Sequence, residues 1–164
     1  MRGSDPDAAI YWLAKMIVGG EYPRFIARRL LVTASEDVGL SDPMALVVAN
    51  AAFEAIDKLG FPEARIPLAQ AFLHVARAPK NNSAIVAIDS ALDDIQNKGR
   101  SYPVPDHLKD THYRDSKLCY SYGVDYKYPH DYCEGEIGQE YLLEELRGIK
   151  YVPEITLNSS IKMD

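Results

Sequence analysis

The sequence predicts a mainly α chain: a five-helix bundle followed by a loop-rich, tyrosine-rich C-terminal extension. Three observations carry this reading. Helix starts of one type occur at Ser4-Asp5-Pro6 and Ser41-Asp42-Pro43, where a capping residue precedes a proline suited to the first turn. Stop signals recur at Gly19-Gly20, Gly39, Gly60, Pro79 and Gly99. Beyond Tyr102 the composition changes, because eight of the 11 tyrosines, both cysteines and three of the four histidines lie there.

The first helix is expected from about Pro6 to Val18. Ser4 or Asp5 can cap it, Ser4 and Asp7 have the spacing of a capping box, and Asp7 suits the positive end of the dipole. The second is expected from Pro23 to Val38, with Phe25, Leu30 and Ala34 facing a core and Gly39 as the stop. The third starts at Asp42-Pro43 and runs to Leu59; Leu46, Phe53, Ile56 and Leu59 fit a helical stripe, although much of its circumference is apolar. The fourth spans about Ala64 to Ala78, where Pro67 is tolerable in the first turn. The fifth runs from Asn82-Ser83 to Lys98. Turns of roughly 3–5 residues make successive helices antiparallel. Two Ser-Asp-Pro copies, 37 residues apart, suggest a helical-hairpin repeat only weakly.

Ser101-Tyr102-Pro103-Val104-Pro105 breaks the helical pattern and divides the chain into a helical domain, 1–100, and an extension, 101–164. In the extension, short helices are expected near Asp106–Thr111 and Tyr113–Tyr120, then loops, turns and a short strand pair from Gly123 onward. Lys+Arg and Asp+Glu number 11 and 12 over residues 1–100 but 7 and 12 over 101–164, so the extension carries −5 of the net −6. It is acidic but too aromatic to read as disordered, and its tyrosines are expected to pack on the helices.

A pI near 5.2 argues against a wholly basic nucleic-acid binder. No apolar stretch reaches the roughly 18 residues a membrane span needs, and the N-terminus lacks a secretory pattern. Cys119 and Cys133 suggest no disulfide framework, which makes a reducing, cytoplasmic setting the default. No Gly-x-x-x-x-Gly-Lys-Ser/Thr loop occurs, so no nucleotide site is expected by that route.

Candidate chemistry is sparse. Cys119, His130, Cys133 and His112 do not have the paired spacing of a zinc knuckle, and no metal site is assigned to them. His130 beside Asp131 reads as a structural turn, with the ring bonded to backbone or to a tyrosine, rather than as a catalytic base. Glu36-Asp37 puts negative charge where a helix end disfavours it, which marks a solvated end or a contact. Arg24, Arg28 and Arg29 share one side of the second helix, while Arg77 and Lys80 close the fourth. Together these five are the candidate contacts for phosphates or for a second subunit. Aromatics interleaved with Lys127 and His130 can stack single-stranded bases, against which four acidic neighbours weigh.

Several segments then add a family resemblance. They are Arg2-Gly3-Ser4-Asp5-Pro6-Asp7-Ala8-Ala9, Tyr11-Trp12-Leu13-Ala14, Gly19-Gly20-Glu21, Phe25 to Leu30 and Ala34 to Leu40. Asp42-Pro43, Leu59-Gly60, Pro62-Glu63, Leu68 to Ala71 and Ala78 to Asn82 follow, with His107-Leu108, Tyr126-Lys127-Tyr128, His130-Asp131 and Gln139-x-Tyr141-Leu142 in the extension. In this order they resemble the C-terminal region of a AAA+ ATPase family. It is the replication-associated recombination protein A (MgsA/RarA) family, related to the eukaryotic Werner helicase-interacting protein. One departure is Leu142-Leu143, where family members carry Leu-Pro.

The resemblance implies a helical region similar to a clamp-loader collar, which assembles a homotetramer. It implies a parent ATPase acting at stalled or damaged replication forks, associated with the nucleoid. That parent binds DNA ends or gaps and contacts single-strand binding protein. ATP and Mg belong to an upstream module, so no catalytic, cofactor or metal residue transfers to this chain. The apolar circumference of the third and fourth helices fits this implication, since an obligate interface buries on the order of 2,000 Å² or more. The alternative is a DNA-contacting or partner-binding module of the same ATPase.

Overall fold

A computed structural model describes residues 1–109, 122–132 and 137–153. Contacts divide the chain into two units: Met1–Ser90 with Tyr151–Asp164, the latter described to residue 153, and Ala91–Lys150. The chain is mainly α, with five helices and no strand among the described residues.

In the first unit, α1 spans Pro6–Val18. Of its two candidate caps the one used is Asp5, whose carboxylate accepts the Ala8 N–H at 2.9 Å. The helix buries Ala9 and Leu13. α2 spans Pro23–Thr33 and stops short of Val38. Ala34–Val38 instead form a π-turn and Gly39–Ser41 a 3₁₀ turn. The turn is wide because the Gly39 N–H reaches the Ala34 carbonyl five residues back, while the Asp37 carbonyl accepts the Asn81 N–H at 2.8 Å. Phe25 lies exposed; the core side of this segment is Ile26, Ala27, Leu30 and Ala34.

α3 spans Met44–Leu59, with Asp42 accepting the Met44 N–H at 3.1 Å and Gly60 (φ 69°) ending it. Its buried stripe corrects the sequence reading. Ala45, Ala49, Ala52 and Ile56 face inward and Phe53 is partly buried, whereas Leu46 and Leu59 are 45% and 55% exposed. The physical reason is close approach. α3 packs against both α2 and α4, and alanine admits backbones that leucine would hold apart.

α4, Arg65–Arg77, packs on α1 and α3 and buries Leu68, Ala71, Phe72, Val75 and Ala76. It ends at Ala78, whose extended backbone is the one favoured before Pro79. α5 spans Ser83–Gln96, opened by Asn81 Oδ1 accepting the Ser83 N–H at 2.8 Å. It runs across the division between the units. Ten of the 18 buried apolar residues described are alanine, so the core is built from short side chains.

The second unit follows the end of α5 with turns. Asp94, 4% exposed, accepts from Lys98 at 2.9 Å and Arg100 at 3.1 Å, which settles the helix end. Short 3₁₀ turns occur at Asp106–Leu108, Pro129–Asp131 and Glu144–Leu146. The helix expected over Asp106–Thr111 is thus a single turn among the described residues. The Asp106 carbonyl accepts both the Lys109 N–H at 3.3 Å and the Gly123 N–H at 2.9 Å. The helix expected over Tyr113–Tyr120 lies outside the described residues. The strand pair does not form among the described ones; Lys127 N–H donates to the Gln139 side chain rather than to a backbone ladder. Tyr126, Tyr128, Tyr132 and Tyr141 are exposed, not packed away as expected.

Candidate assembly surface

The five predicted basic contacts do not form one face. Arg24 is bidentate on Asp57, its Nε donating to Oδ1 at 2.9 Å and its Nη2 to Oδ2, so it ties α2 to α3. This pairing holds the Asp57 carboxyl below its ordinary 3.8 and the Arg24 guanidinium above its own usual value. Lys80 turns back on the end of α4. Its ammonium donates to the carbonyls of Val75 at 3.0 Å, Ala76 at 3.1 Å and Ala78 at 2.6 Å. Burial pulls its pKa below the usual lysine value, against the pull of Asp37. Arg77 lines a separate recess with Asp42, Gln70 and His74. Arg28 and Arg29 alone stand exposed on α2 without a carboxylate partner among the described residues.

The acidic pair Glu36-Asp37 has a contact within the chain. Arg2 Nε donates to Asp37 at 2.7 Å and Arg2 Nη2 to Glu36 at 2.6 Å. Hydrogen bonding and the nearby negative charge of Asp37 raise the arginine's pKa. A cation thus neutralises the electronegative end of α2. The same corner holds Asn81, whose backbone is fastened to Asp37, and Gly39, which packs against it. The acidic pair at a helix end was the sequence signal for this junction. Its partner, 34 and 35 residues earlier, carried none.

The helical unit also exposes large apolar side chains. Against a buried stripe of Ala45, Ala49 and Ala52, α3 turns Met44, Leu46 and Val47 outward, 54%, 45% and 56% exposed. α2 adds Val32 and α5 adds Ile88, both exposed. α1 presents Tyr11, Trp12 and Val18.

No group of three or more His, Cys, Asp or Glu residues among the described residues is placed to hold a metal. His112, Cys119 and Cys133 lie outside the described residues. His130 sits exposed in its 3₁₀ turn, ring to ring with Tyr128 at 5.1 Å. No helix among the described residues is long and apolar enough to cross a membrane.

Residues 3–162 match the family model described as MgsA AAA+ ATPase C terminal. The chain is 48% identical over 151 residues to the Replication-associated recombination protein A of Bacillus subtilis, covering 92% of this chain and 35% of that protein. It is 40% identical over 155 residues to the protein of the same name from Escherichia coli, covering 92% of this chain and 34% of that one. A Dictyostelium discoideum protein named ATPase WRNIP1 is 35% identical over 152 residues, which are 92% of this chain and 17% of that one. The chain therefore spans about a third of the length of these two bacterial relatives. A match over nearly all its residues, with relatives up to 48% identical, places the chain in the MgsA family of AAA+ ATPase C-terminal domains.

Proposed function

We propose that this chain is the assembly module of a AAA+ ATPase of replication-associated recombination, and that it joins copies of that protein into a homotetramer through its exposed apolar helix faces. One observation supports this most. In the first half of α3 the buried residues are Ala45 and Ala49, while Met44, Leu46 and Val47 stand outside. An exposed apolar face of this kind marks an interaction site. A collar-like ring of such units, similar to that of clamp loaders, would give each face a partner.

In this reading the chain itself carries no catalysis. ATP and Mg are held, in this reading, by another part of the full-length protein. DNA and single-strand binding protein are partners of the assembled protein, in the cytoplasm at the nucleoid. The test is the solution mass of the chain by light scattering after size exclusion, across concentration. A four-chain mass supports the module, whereas a monomer at every concentration removes it.

A second reading has one observation in its favour. Arg28 and Arg29 are exposed and unpaired among the described residues, as phosphate contacts would be. Under it the isolated chain binds single-stranded DNA with an affinity that falls steeply with salt.

A further inference from the structure

The segment ahead of α1 is held in place although it belongs to no helix. The Ser4 N–H donates to the Met1 carbonyl at 3.0 Å, and Ser4 itself has φ 57°. A serine in this left-handed region persists where its surroundings impose it. Two contacts act on the segment. The Met1 side chain is partly buried against the core. The Arg2 guanidinium spans two carboxylates, Asp37 at 2.7 Å and Glu36 at 2.6 Å. An isolated surface pair stabilises little. Here one rigid fork joins two acids, and the Asp37 side chain is only 12% exposed, so the tie exceeds a single exposed pair.

Asp37 is the node of this corner. Its carbonyl accepts the Asn81 N–H at 2.8 Å, and its charge acts on the Lys80 ammonium. Three stretches distant in sequence therefore meet here: the start of the chain, the π-turn after α2 and the turn between α4 and α5. Arg2, Lys80, Asn82 and Ile85 stand among the walls of an open recess of about 410 Å³ at the same corner. The Arg2 side chain is 71% exposed. Its fork can leave the two acids without unpacking any helix.

The family model is that of a C-terminal region, so in a full-length member the larger part of the protein lies ahead of this segment. We infer that residues 1–4 are a strap, fastened by Arg2 on Glu36 and Asp37, that sets the direction in which that preceding part leaves the helical unit. Fastened, the strap makes the two parts turn together. Open, it leaves them joined by flexible chain. The joint does not depend on whether copies assemble.

The first readout is solvent exchange of the Ser4 amide, by NMR on the isotope-labelled chain. Fast exchange there requires the strap to open. Arg2→Ala is expected to speed it about fivefold or more, and so is Glu36→Gln combined with Asp37→Asn. The amides of Leu13 and Leu68, inside α1 and α4, keep their wild-type rates. Arg2→Lys keeps the charge without the fork and falls between. Salt at about 1 M moves the wild type toward the variants. Lys15→Ala, on the exposed side of α1, changes nothing at Ser4.

The second readout is small-angle X-ray scattering of the full-length protein, in which Arg2→Ala is expected to broaden the distance distribution. Ser4 exchange that ignores both sets of substitutions overturns the strap. Faster exchange with an unchanged distance distribution reduces Arg2 to a local tie and overturns the coupling. If Arg2→Ala also loosens the Leu13 and Leu68 amides, Arg2→Lys decides in its place. A wild-type chain that stays monomeric removes the assembly reading and leaves the strap standing.

Discussion

A Cβ placed on Gly39 would stand 2.9 Å from the carbonyl oxygen of Asn81. The glycine has φ 50° and ψ −123°, a region essentially reserved for glycine. It therefore allows both the backbone turn after α2 and the close passage of the segment leading into α5. Gly39→Ala is expected to cost about 1–3 kcal/mol from backbone strain alone. Thermal melting reads the loss; an unchanged Tm would show that the junction yields.

Lys80 closes α4 rather than offering a free charge, with its three donors spent on three terminal carbonyls. Lys80→Ala is expected to destabilise the chain by about 1–2 kcal/mol, the net worth of a lost capping set of this kind. DNA affinity, if the chain has any, stays the same once the protein is folded. A large drop in affinity at unchanged Tm contradicts this assignment.

Asp57 gives the fold a pH dependence of definite sign. Its hydrogen bonds from Arg24 hold the folded carboxyl below the ordinary 3.8. The pair therefore stabilises the fold in full above that value, and the stabilisation disappears as pH falls through the depressed one. Asp57→Asn should melt earlier than wild type near neutral pH, with the gap closing as pH falls below the ordinary carboxylate range. A gap independent of pH refutes the assignment.

Arg28 and Arg29 divide the two functional readings. Replacing both by alanine should leave stability within about 0.5 kcal/mol, as for exposed positions generally. If they touch phosphates, the slope of log K for single-stranded DNA against log salt falls by about 0.7 for each arginine removed. An unchanged slope excludes them as contacts.

The alanine stripe of α3 sets how near its neighbours come. Ala49, fully buried, has no room for a longer side chain. Ala49→Leu should cost about 1–3 kcal/mol by overpacking, despite the greater hydrophobicity of leucine. A variant more stable than wild type would mean that the helices are not in close contact there.

Helix existence was legible in the sequence because its signals are local. Asp5-Pro6, Asp42-Pro43, Gly60 and Pro79 act through their own backbone and their own caps. Facing was less so. On α3 the apolar circumference offers two stripes, and periodicity alone favours the larger residues. The stripe of Ala45, Ala49 and Ala52 prevails because packing on two helices at once selects for small size. The end of α2 was misjudged because the acceptor of the Asn81 N–H and the partner of Arg2 are both set by tertiary folding. For the same reason charge alone did not separate Arg24, paired with Asp57, from its neighbours Arg28 and Arg29.

Alanine has no side-chain rotamer, and a contact layer composed largely of alanine has little that can be rearranged. The distance between helix axes is then set by backbone against backbone. Such a block turns as a solid body instead of deforming through its interior, much as a gear differs from a sponge. Movement is then expected to collect at the turns between helices rather than inside the contact layer.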